Sequence, residues 1–147
     1  MVIVDSSGTK FPVMWSAKRQ SCVSRSTTEA EIVSASTVIF DDSIPVKSVL
    51  ELVLGTEVRT VLKEDNSAVC QIIRNGYSIK LRSLSRTHRI SVAALAESVK
   101  MGLVEVELTP TGELLGDIFT KALSRPKFLL ARDAIMVCLC PVLSKET

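Results

Sequence analysis

Residues 24–31 read SRSTTEAE and lead into a run dotted with apolar residues. Ser26 and Glu29 have the Ser-x-x-Glu spacing of a helix capping box. Thr28 and Glu31 offer a second register of the same motif. In either register the stretch predicts a helix whose first turn carries acidic side chains beside unpaired backbone N–H groups. An ordinary explanation for these carboxylates is that they complement the positive end of the helix dipole.

The composition is typical of one globular domain. The chain has 147 residues, of which 46% are hydrophobic and 23% are charged, and this excludes a disordered chain. Aromatic residues make up only 4%, so a nucleic-acid surface here would have few stacking platforms. The formal net charge of +2 neither supports nor excludes a polyanionic ligand, because a local basic patch can exist within a balanced total.

The cysteines and the apolar runs favour an intracellular protein. The four cysteines lack the paired spacing of a metal site, and we expect them to be reduced thiols. The longest apolar run, residues 134–143, is interrupted by Pro141 and is too short to cross a bilayer. The first residues lack the basic start and the long apolar core of a signal peptide. We therefore expect a soluble, cytoplasmic or nuclear protein with no membrane partner.

Apolar periodicity and turn residues predict strands and helices in alternation. The predicted strands are 2–4, 10–15, 56–64 and 103–108, and the predicted helices begin at 26 and cover 45–54, 68–75, 90–100, 111–119 and 126–137. The strand that ends at Glu64 leads through an acidic turn into a helix. Such an α/β unit often places ligand-binding residues at the carboxyl end of its strand.

Several side chains are expected in the core. The apolar face of the helix at 45–54 is predicted to consist of Val46, Val49, Leu50 and Val53. The last helix is predicted to contact the core through Phe128, Leu129, Ala131 and Ile135. Trp15 is interpreted as a core residue rather than a platform for stacking a base.

Three acidic residues stand out by position. Glu31 lies in the first turn of a predicted helix, Asp65 at the end of a predicted strand, and Asp117 early in a late helix. Separately they can be explained as a dipole partner, a helix cap and a surface acid. Together they offer the carboxylates of a two-metal phosphoryl-transfer site, in which Mg²⁺ ions about 4 Å apart activate water and stabilise the leaving oxygen. Sequence spacing alone does not show that the three acids meet.

Four ordered strings of the chain carry a family resemblance. They are WSAKRQ at 15–20, STTEAE at 26–31, EDNSA at 64–68 and DIFTKAL at 117–123. In this order they resemble the ribonuclease H domain that ends the polyprotein of copia-type LTR retrotransposons. RTH at 86–88 and TPT at 109–111 are similar to two further stretches of that family. The resemblance covers about residues 10–137.

The resemblance implies a fold, an activity and site residues. The fold is α/β, a ribonuclease-H-like mixed sheet flanked by helices, over residues 1–137, with a C-terminal tail at 138–147. The activity is hydrolysis of the RNA strand in RNA–DNA hybrids with Mg²⁺, or Mn²⁺, as the cofactor. Three of the family's four acids carry over as catalytic and metal-binding residues, namely Glu31, Asp65 and Asp117. Glu29 is then the capping acid.

The start of the chain departs from the family pattern. The family's first aspartate lies on an opening strand, well upstream of the hairpin that leads to Trp15. Asp5 instead belongs to DSSG at residues 5–8, which is similar to the hairpin turn itself. The resemblance therefore implies an N-terminally truncated domain that lacks the first strand and the acid that bridges the two metals, and that is weakly active or inactive. Alternatively, Met1 is a misplaced start and the product is a longer polyprotein.

Basic residues supply the expected contacts with nucleic acid. The candidates are Lys18, Arg19, Arg86 and His88, with Lys80 and Arg82 as further cations along the backbone of a hybrid. The alternative for the lysines and arginines is a solvated basic surface. The alternative for His88, which the sequence favours, is a helix-start residue on a solvated basic loop.

Two functional hypotheses follow. The first is a retrotransposon-derived ribonuclease H-like domain whose partners are an RNA–DNA hybrid, or another nucleic acid, and the reverse transcriptase portion of the parent polyprotein. The second is a catalytically silent remnant that binds nucleic acid or protein. Binding that weakens with salt and needs no metal would distinguish the second from the first.

Overall fold

The computed structural model describes residues 1–21, 23–119 and 121–135. The elements in chain order are β1 (Val2–Val4), β2 (Lys10–Pro12), α1 (Thr27–Thr37), a π-helical stretch (Val38–Ser43), α2 (Ile44–Leu54), β3 (Val61–Glu64), α3 (Ser67–Asn75), a 3-10 turn (Ile79–Leu81), α4 (Leu84–Thr87), α5 (Val92–Lys100), β4 (Glu105–Leu108), two 3-10 turns (Thr111–Glu113 and Leu115–Phe119) and α6 (Arg125–Ile135). The predicted tail at 138–147 lies outside the described residues, as do the last two residues of the helix predicted at 126–137.

The chain forms two compact units, and both contain helices and strands. Residues 19–114 form one unit, and residues 1–18 form the other with those from 115 onward. The predicted α/β class is confirmed. The described strands form two separate pairs, since β1 pairs with β2 antiparallel and β3 pairs with β4 parallel.

Helix α1 begins where the capping box predicts. The Ser26 hydroxyl accepts a hydrogen bond from the Glu29 backbone N–H at 3.1 Å, so the Ser26 register is the one adopted. The helix then continues through the π-helical stretch into α2, so the segment predicted as a separate helix at 45–54 has no helix start of its own. Pro45 follows the π-helical stretch and has no N–H to donate, so it interrupts the regular hydrogen-bond ladder of this continuous helix. The predicted end of α2 is confirmed, since Gly55 adopts φ +67 as its C-cap.

The core of the 19–114 unit lies where α1, α3 and α5 meet the parallel strands. Its fully buried side chains include Ile32, Ile39, Val69, Ile73, Leu84, Leu95 and Val104. Gly76 ends α3 with φ +73, and a Cβ at this position would lie 2.8 Å from the Cβ of Ala96 on α5. A glycine is therefore required both by the backbone conformation and by the close approach of the two helices.

The predicted apolar face of α2 is not in the core. Val49 is 59% exposed and Val53 74% exposed, and the neighbouring Leu52 is 84% exposed. Within α2 the buried side chain is Lys47, whose Nζ donates to the Val58 carbonyl at 2.7 Å and pairs with Glu51 at 3.4 Å. The prediction failed because helical periodicity identifies an apolar face without showing that another element covers it.

The unit that contains residues 1–18 has no buried side chain among its described residues. Its hairpin turn is held by Asp5, whose Oδ1 accepts hydrogen bonds from the backbone N–H groups of Ser7 and Thr9, each at 2.9 Å. This confirms Asp5 as a turn residue. Trp15 is 68% exposed and stacks on Phe119 with the ring centroids 6.4 Å apart, so its core assignment is wrong.

Helix α6 is also less buried than predicted. Phe128 is 44% exposed, and Leu129, Ala131 and Ile135 are only partly buried. The apolar pattern of α6 therefore identified a helix correctly but overstated its burial.

Candidate metal site

Three carboxylates of the 19–114 unit converge. Glu31 lies on the second turn of α1, Glu64 ends β3, and Asp65 follows it directly. One carboxylate oxygen from each lies within 4.8 Å of the other two. The structure therefore brings together two of the three predicted acids, Glu31 and Asp65, and adds Glu64, to which sequence analysis gave no role.

Asn66 organises this acid cluster, which we define as Glu31, Glu64 and Asp65. Its side-chain Nδ2 donates a hydrogen bond to Glu31 Oε2 at 2.6 Å. Its backbone N–H donates to Glu64 Oε1 at 3.1 Å. Its Oδ1 accepts from the Ala68 N–H at 3.0 Å and so caps helix α3. A single residue thus starts α3 and orients two of the three carboxylates.

Asp65 is held from another direction. The Thr111 hydroxyl donates a hydrogen bond to Asp65 Oδ2 at 2.9 Å. Thr111 begins the 3-10 turn that follows β4, and β4 is the parallel partner of β3. The segments that follow the two strands therefore meet at Asp65, as the carboxyl ends of neighbouring parallel strands should.

Burial and charge make the cluster electrostatically strained. Desolvation raises the pKa of the Glu64 carboxyl above its ordinary value, the Asn66 N–H opposes this change, and the nearby carboxylates of Glu31 and Asp65 add to it. The ionised form of Glu64 is therefore disfavoured. A cation placed among the three carboxylates would offset their repulsion.

The donor set fits a hard divalent cation. Mg²⁺, Mn²⁺ and Ca²⁺ bind oxygen ligands, and carboxylates are the usual protein donors. Each of the three carboxylates uses one oxygen in a hydrogen bond described above, and a carboxylate has two oxygens with about four acceptor positions. The cluster thus retains acceptor capacity for a metal.

A groove gives solvent access to part of the cluster. It has a volume of about 270 Å³ and lies between α1 and β3. Glu31 and Glu64 line it together with the small or apolar side chains of Ala30, Ala35 and Leu62. The two carboxylates therefore face a space that an ion with its water ligands could enter.

Asp117 belongs to the other compact unit. Its side chain is 15% exposed and pairs with Lys121 across one turn, with Lys121 Nζ 2.9 Å from its Oδ1. Its assignment as a third metal ligand stays a prediction.

The predicted nucleic-acid residues differ in exposure. Lys18, Arg19 and Arg86 are exposed. His88 is not, since its side chain is 3% exposed and its Nε2 lies 3.4 Å from Glu29 Oε1. The interpretation of His88 as a residue of a solvated loop is wrong, because residues 84–87 form α4 and His88 caps it. This burial does not favour direct contact of the imidazole with a phosphate.

Glu64 and the pairing of Glu29 with His88 were missed for different reasons. Glu64 had a local signal, because it is the last residue of the strand that delivers Asp65. The contact between Glu29 and His88 had none, because it joins segments far apart in the sequence.

Comparison of the chain with models of known families, with curated proteins and with solved structures finds no match. Functional assignment therefore depends on the motifs and on the geometry of the acid cluster.

None of the helices in the described part of the chain combines the length and the apolar character needed to cross a membrane.

Proposed function

We propose that this chain is a ribonuclease H-like domain derived from a copia-type retrotransposon. The observation that carries the proposal is the convergence of Glu31 and Asp65. The two residues were assigned from separate motifs, and their carboxylates lie in one cluster with Glu64. The resemblance implies the finer fold, a ribonuclease-H-like mixed sheet flanked by helices. The parallel β3–β4 pair, with helices α1, α3 and α5 packed in one core, supports it.

The ancestral reaction is hydrolysis of the RNA strand in RNA–DNA hybrids. Glu31, Asp65 and Glu64 would hold Mg²⁺ or Mn²⁺, which when bound supplies activation of water and stabilisation of the leaving oxygen. Asn66 and Thr111 fix the directions of the ligating carboxylates.

The partners that the proposal implies are nucleic acids and the parent polyprotein. The exposed cations Lys18, Arg19 and Arg86 would contact the backbone of a hybrid, and His88 is retained as a predicted site residue without a direct contact. The reverse transcriptase portion of a parent polyprotein is the protein partner that the resemblance suggests.

A nuclease assay tests the catalytic proposal. The full chain, Asp65→Asn and Glu107→Gln are compared on a defined RNA–DNA hybrid with and without Mg²⁺. Glu107 is an exposed acid of β4, outside the cluster, and serves as the matched control. We expect Mg²⁺-dependent cleavage by the native chain and by Glu107→Gln, and loss of this cleavage in Asp65→Asn. Equal background from all three proteins would rule out the enzyme.

A catalytically silent binding remnant is the second candidate. The exposed cations at Lys80, Arg82, Arg86 and Arg89 favour it, because they follow one another closely in the 19–114 unit. This candidate predicts binding to hybrid or duplex that weakens with salt and does not depend on a metal. Absence of binding to RNA, DNA and hybrid at low salt would contradict it.

A further inference from the structure

His88 and Glu29 form a buried pair inside the 19–114 unit. The imidazole is 3% exposed and the carboxylate 6% exposed, with Nε2 and Oε1 3.4 Å apart. Among the described residues, His88 Nε2 has no hydrogen-bond partner. Burying a carboxylate or an imidazole is costly unless a polar or charged partner compensates. The 3.4 Å approach of Nε2 to Glu29 Oε1 is therefore a close polar contact and not a hydrogen bond, and it offsets part of the cost of burying the two groups.

Glu29 is bound firmly to the start of α1. Its backbone N–H donates to the Ser26 hydroxyl, and its Oε2 accepts a hydrogen bond from the Arg25 N–H at 2.8 Å. In a regular capping box the acid returns to the N–H of the capping residue itself. Here it reaches one residue further back, and its second oxygen points at His88. A shift of the Glu29 carboxylate would therefore move the first turn of α1 with it.

His88 is also held in place by its backbone. It caps α4, with its N–H bonded to the Leu84 carbonyl at 2.9 Å. Arg89 follows with φ +57, in the left-handed region that residues other than glycine seldom adopt. Ser91 then caps α5, accepting a hydrogen bond from the Ala94 N–H. The imidazole is thus presented from the short segment between the end of α4 and the cap of α5 and not from a loose loop.

The opposite side of α1 carries Glu31. Two residues along a helix rotate the side-chain direction by about 200°, so Glu29 and Glu31 project to nearly opposite sides. Glu29 meets His88 on one side, and Glu31 meets Asn66 on the other. The two contacts together define the rotation of the first turns of α1 about the helix axis.

We propose that His88 is a positioning residue, which acts through Glu29 to set the rotation of α1 that brings Glu31 beside Glu64 and Asp65. The effect of His88 on metal binding rests on the proposed metal site. The inference itself concerns the position of Glu31. It assigns to the only histidine of the chain a role distinct from contact with nucleic acid.

The primary test is the NMR signal of the Asn66 side-chain amide, because this group donates to Glu31. Glu31→Ala in the full chain gives the chemical shift of the Asn66 amide when its hydrogen bond to Glu31 is absent. We expect His88→Leu, which has no polar group, to move the Asn66 signal toward that position. His88→Gln, which keeps a polar side chain beside Glu29, should restore the native position. Leu95→Ala, a truncation in the same core, should leave the signal unchanged while lowering stability.

Mn²⁺ binding by the same variants is the second readout. We expect the affinity to fall by at least about tenfold in His88→Leu and to remain near the native value in His88→Gln and Leu95→Ala. An unchanged Asn66 signal in folded His88→Leu, or an equal shift in Leu95→Ala, would overturn the inference. If the native chain binds no Mn²⁺ but the Asn66 signal responds as expected, the proposed metal site is rejected and the positioning role of His88 is supported.

Glu29→Leu provides a second route if His88→Leu does not fold. It removes the same contact from the opposite side and should shift the Asn66 signal in the same direction. If neither variant folds while Leu95→Ala does, the pair is a requirement for folding and the positioning role is rejected.

Discussion

At the scale of single residues, Asn66 has two structural roles that substitutions can separate. It caps α3 through its side-chain oxygen and orients Glu31 through its side-chain nitrogen. Serine caps a helix about as well as asparagine, but its shorter side chain lacks the separate NH₂ group with which Asn66 donates to Glu31. The two functions can therefore be removed one at a time.

We expect Asn66→Ser to leave the free energy of unfolding within about 0.5 kcal/mol of the native value. We expect Asn66→Ala to lower it by about 1 kcal/mol, because the cap is lost as well. Both variants should weaken Mn²⁺ binding, because Glu31 loses its orienting donor. Urea titration and isothermal calorimetry measure the two effects. Native metal affinity in Asn66→Ser would show that the amide does not orient a ligand.

Glu64 is the residue whose ionisation should oppose folding. Burial keeps the pKa of Glu64 higher in the folded chain than in the unfolded chain, so the folded state binds more protons between the two values. Protonated Glu64 thus contributes to the free energy of unfolding. This contribution is fully present below the pKa that Glu64 has in the unfolded chain, and it is lost as the pH rises through the pKa that Glu64 has in the folded chain. In protein free of divalent cations, Glu64→Gln should therefore be more stable than the native chain at about pH 8, and this difference should shrink at about pH 5.

Urea titrations of the two proteins at both pH values measure this difference. Adding Mg²⁺ at the higher pH should stabilise the native chain more than Glu64→Gln, because only the native chain presents all three carboxylates. A difference that grows on acidification would show that Glu64 is not the strained member of the cluster.

The residues predicted correctly from the sequence are those whose signals are local. Ser26 caps α1 through a contact three residues away, which is one of the two registers the sequence offered. The cap of α3 was misplaced by one residue, since Asn66 supplies it and not Asp65. Asp5 likewise fills a turn within its own segment. The role of His88 was missed because burial against Glu29 depends on how α4 and α1 pack, and no local pattern encodes that.

At the scale of elements, α2 separates apolar pattern from burial. Periodicity located the helix and its glycine cap correctly, yet Val49, Leu52 and Val53 are more than half exposed. Strand β3 has an ordinary apolar sequence, yet it forms the parallel pair with β4. Two of the clustered acids lie at its end, Glu64 as its last residue and Asp65 directly after it. A helix pattern states which face is apolar, and only the neighbouring elements decide whether that face is covered.

The exposure of α2 predicts a contrast between two truncations. Leu52→Ala should change the free energy of unfolding by no more than about 0.5 kcal/mol. Ile39→Ala, in the π-helical stretch and fully buried, should lower it by about 2–5 kcal/mol. Chemical denaturation of both variants checks this. A cost for Leu52→Ala as large as that for Ile39→Ala would mean that α2 is covered in solution.

At the scale of the whole molecule, the two compact units differ in how much core they contain. All residues of the hydrophobic core cluster fall between residues 19 and 114, together with the acid cluster. The described residues of the other unit are all at least partly exposed. Burial of apolar surface is the main favourable term in folding, so stability should reside in the 19–114 unit.

A fragment of residues 19–114 should therefore fold alone. We expect cooperative urea unfolding with a midpoint close to that of the main transition of the full chain, and Mn²⁺ binding by Glu31, Glu64 and Asp65 if the proposed site is correct. Circular dichroism measures the first property and calorimetry the second. A fragment without a cooperative transition would show that the remaining residues are needed for the core.

The parallel pairing of β3 with β4 has a consequence for the time course of folding. Arg59 lies two residues before β3 and donates a hydrogen bond to Glu105, the first residue of β4. The two residues are 46 positions apart, and the chain between them contains α3, α4 and α5. A parallel ladder gains no bond until its whole crossover has closed, whereas α3 and α5 gain local bonds at once. We therefore expect the strand pair to form late. Glu64 and Asp65 stand at the end of β3, so Mn²⁺ added during refolding should be captured only after a lag behind helix formation.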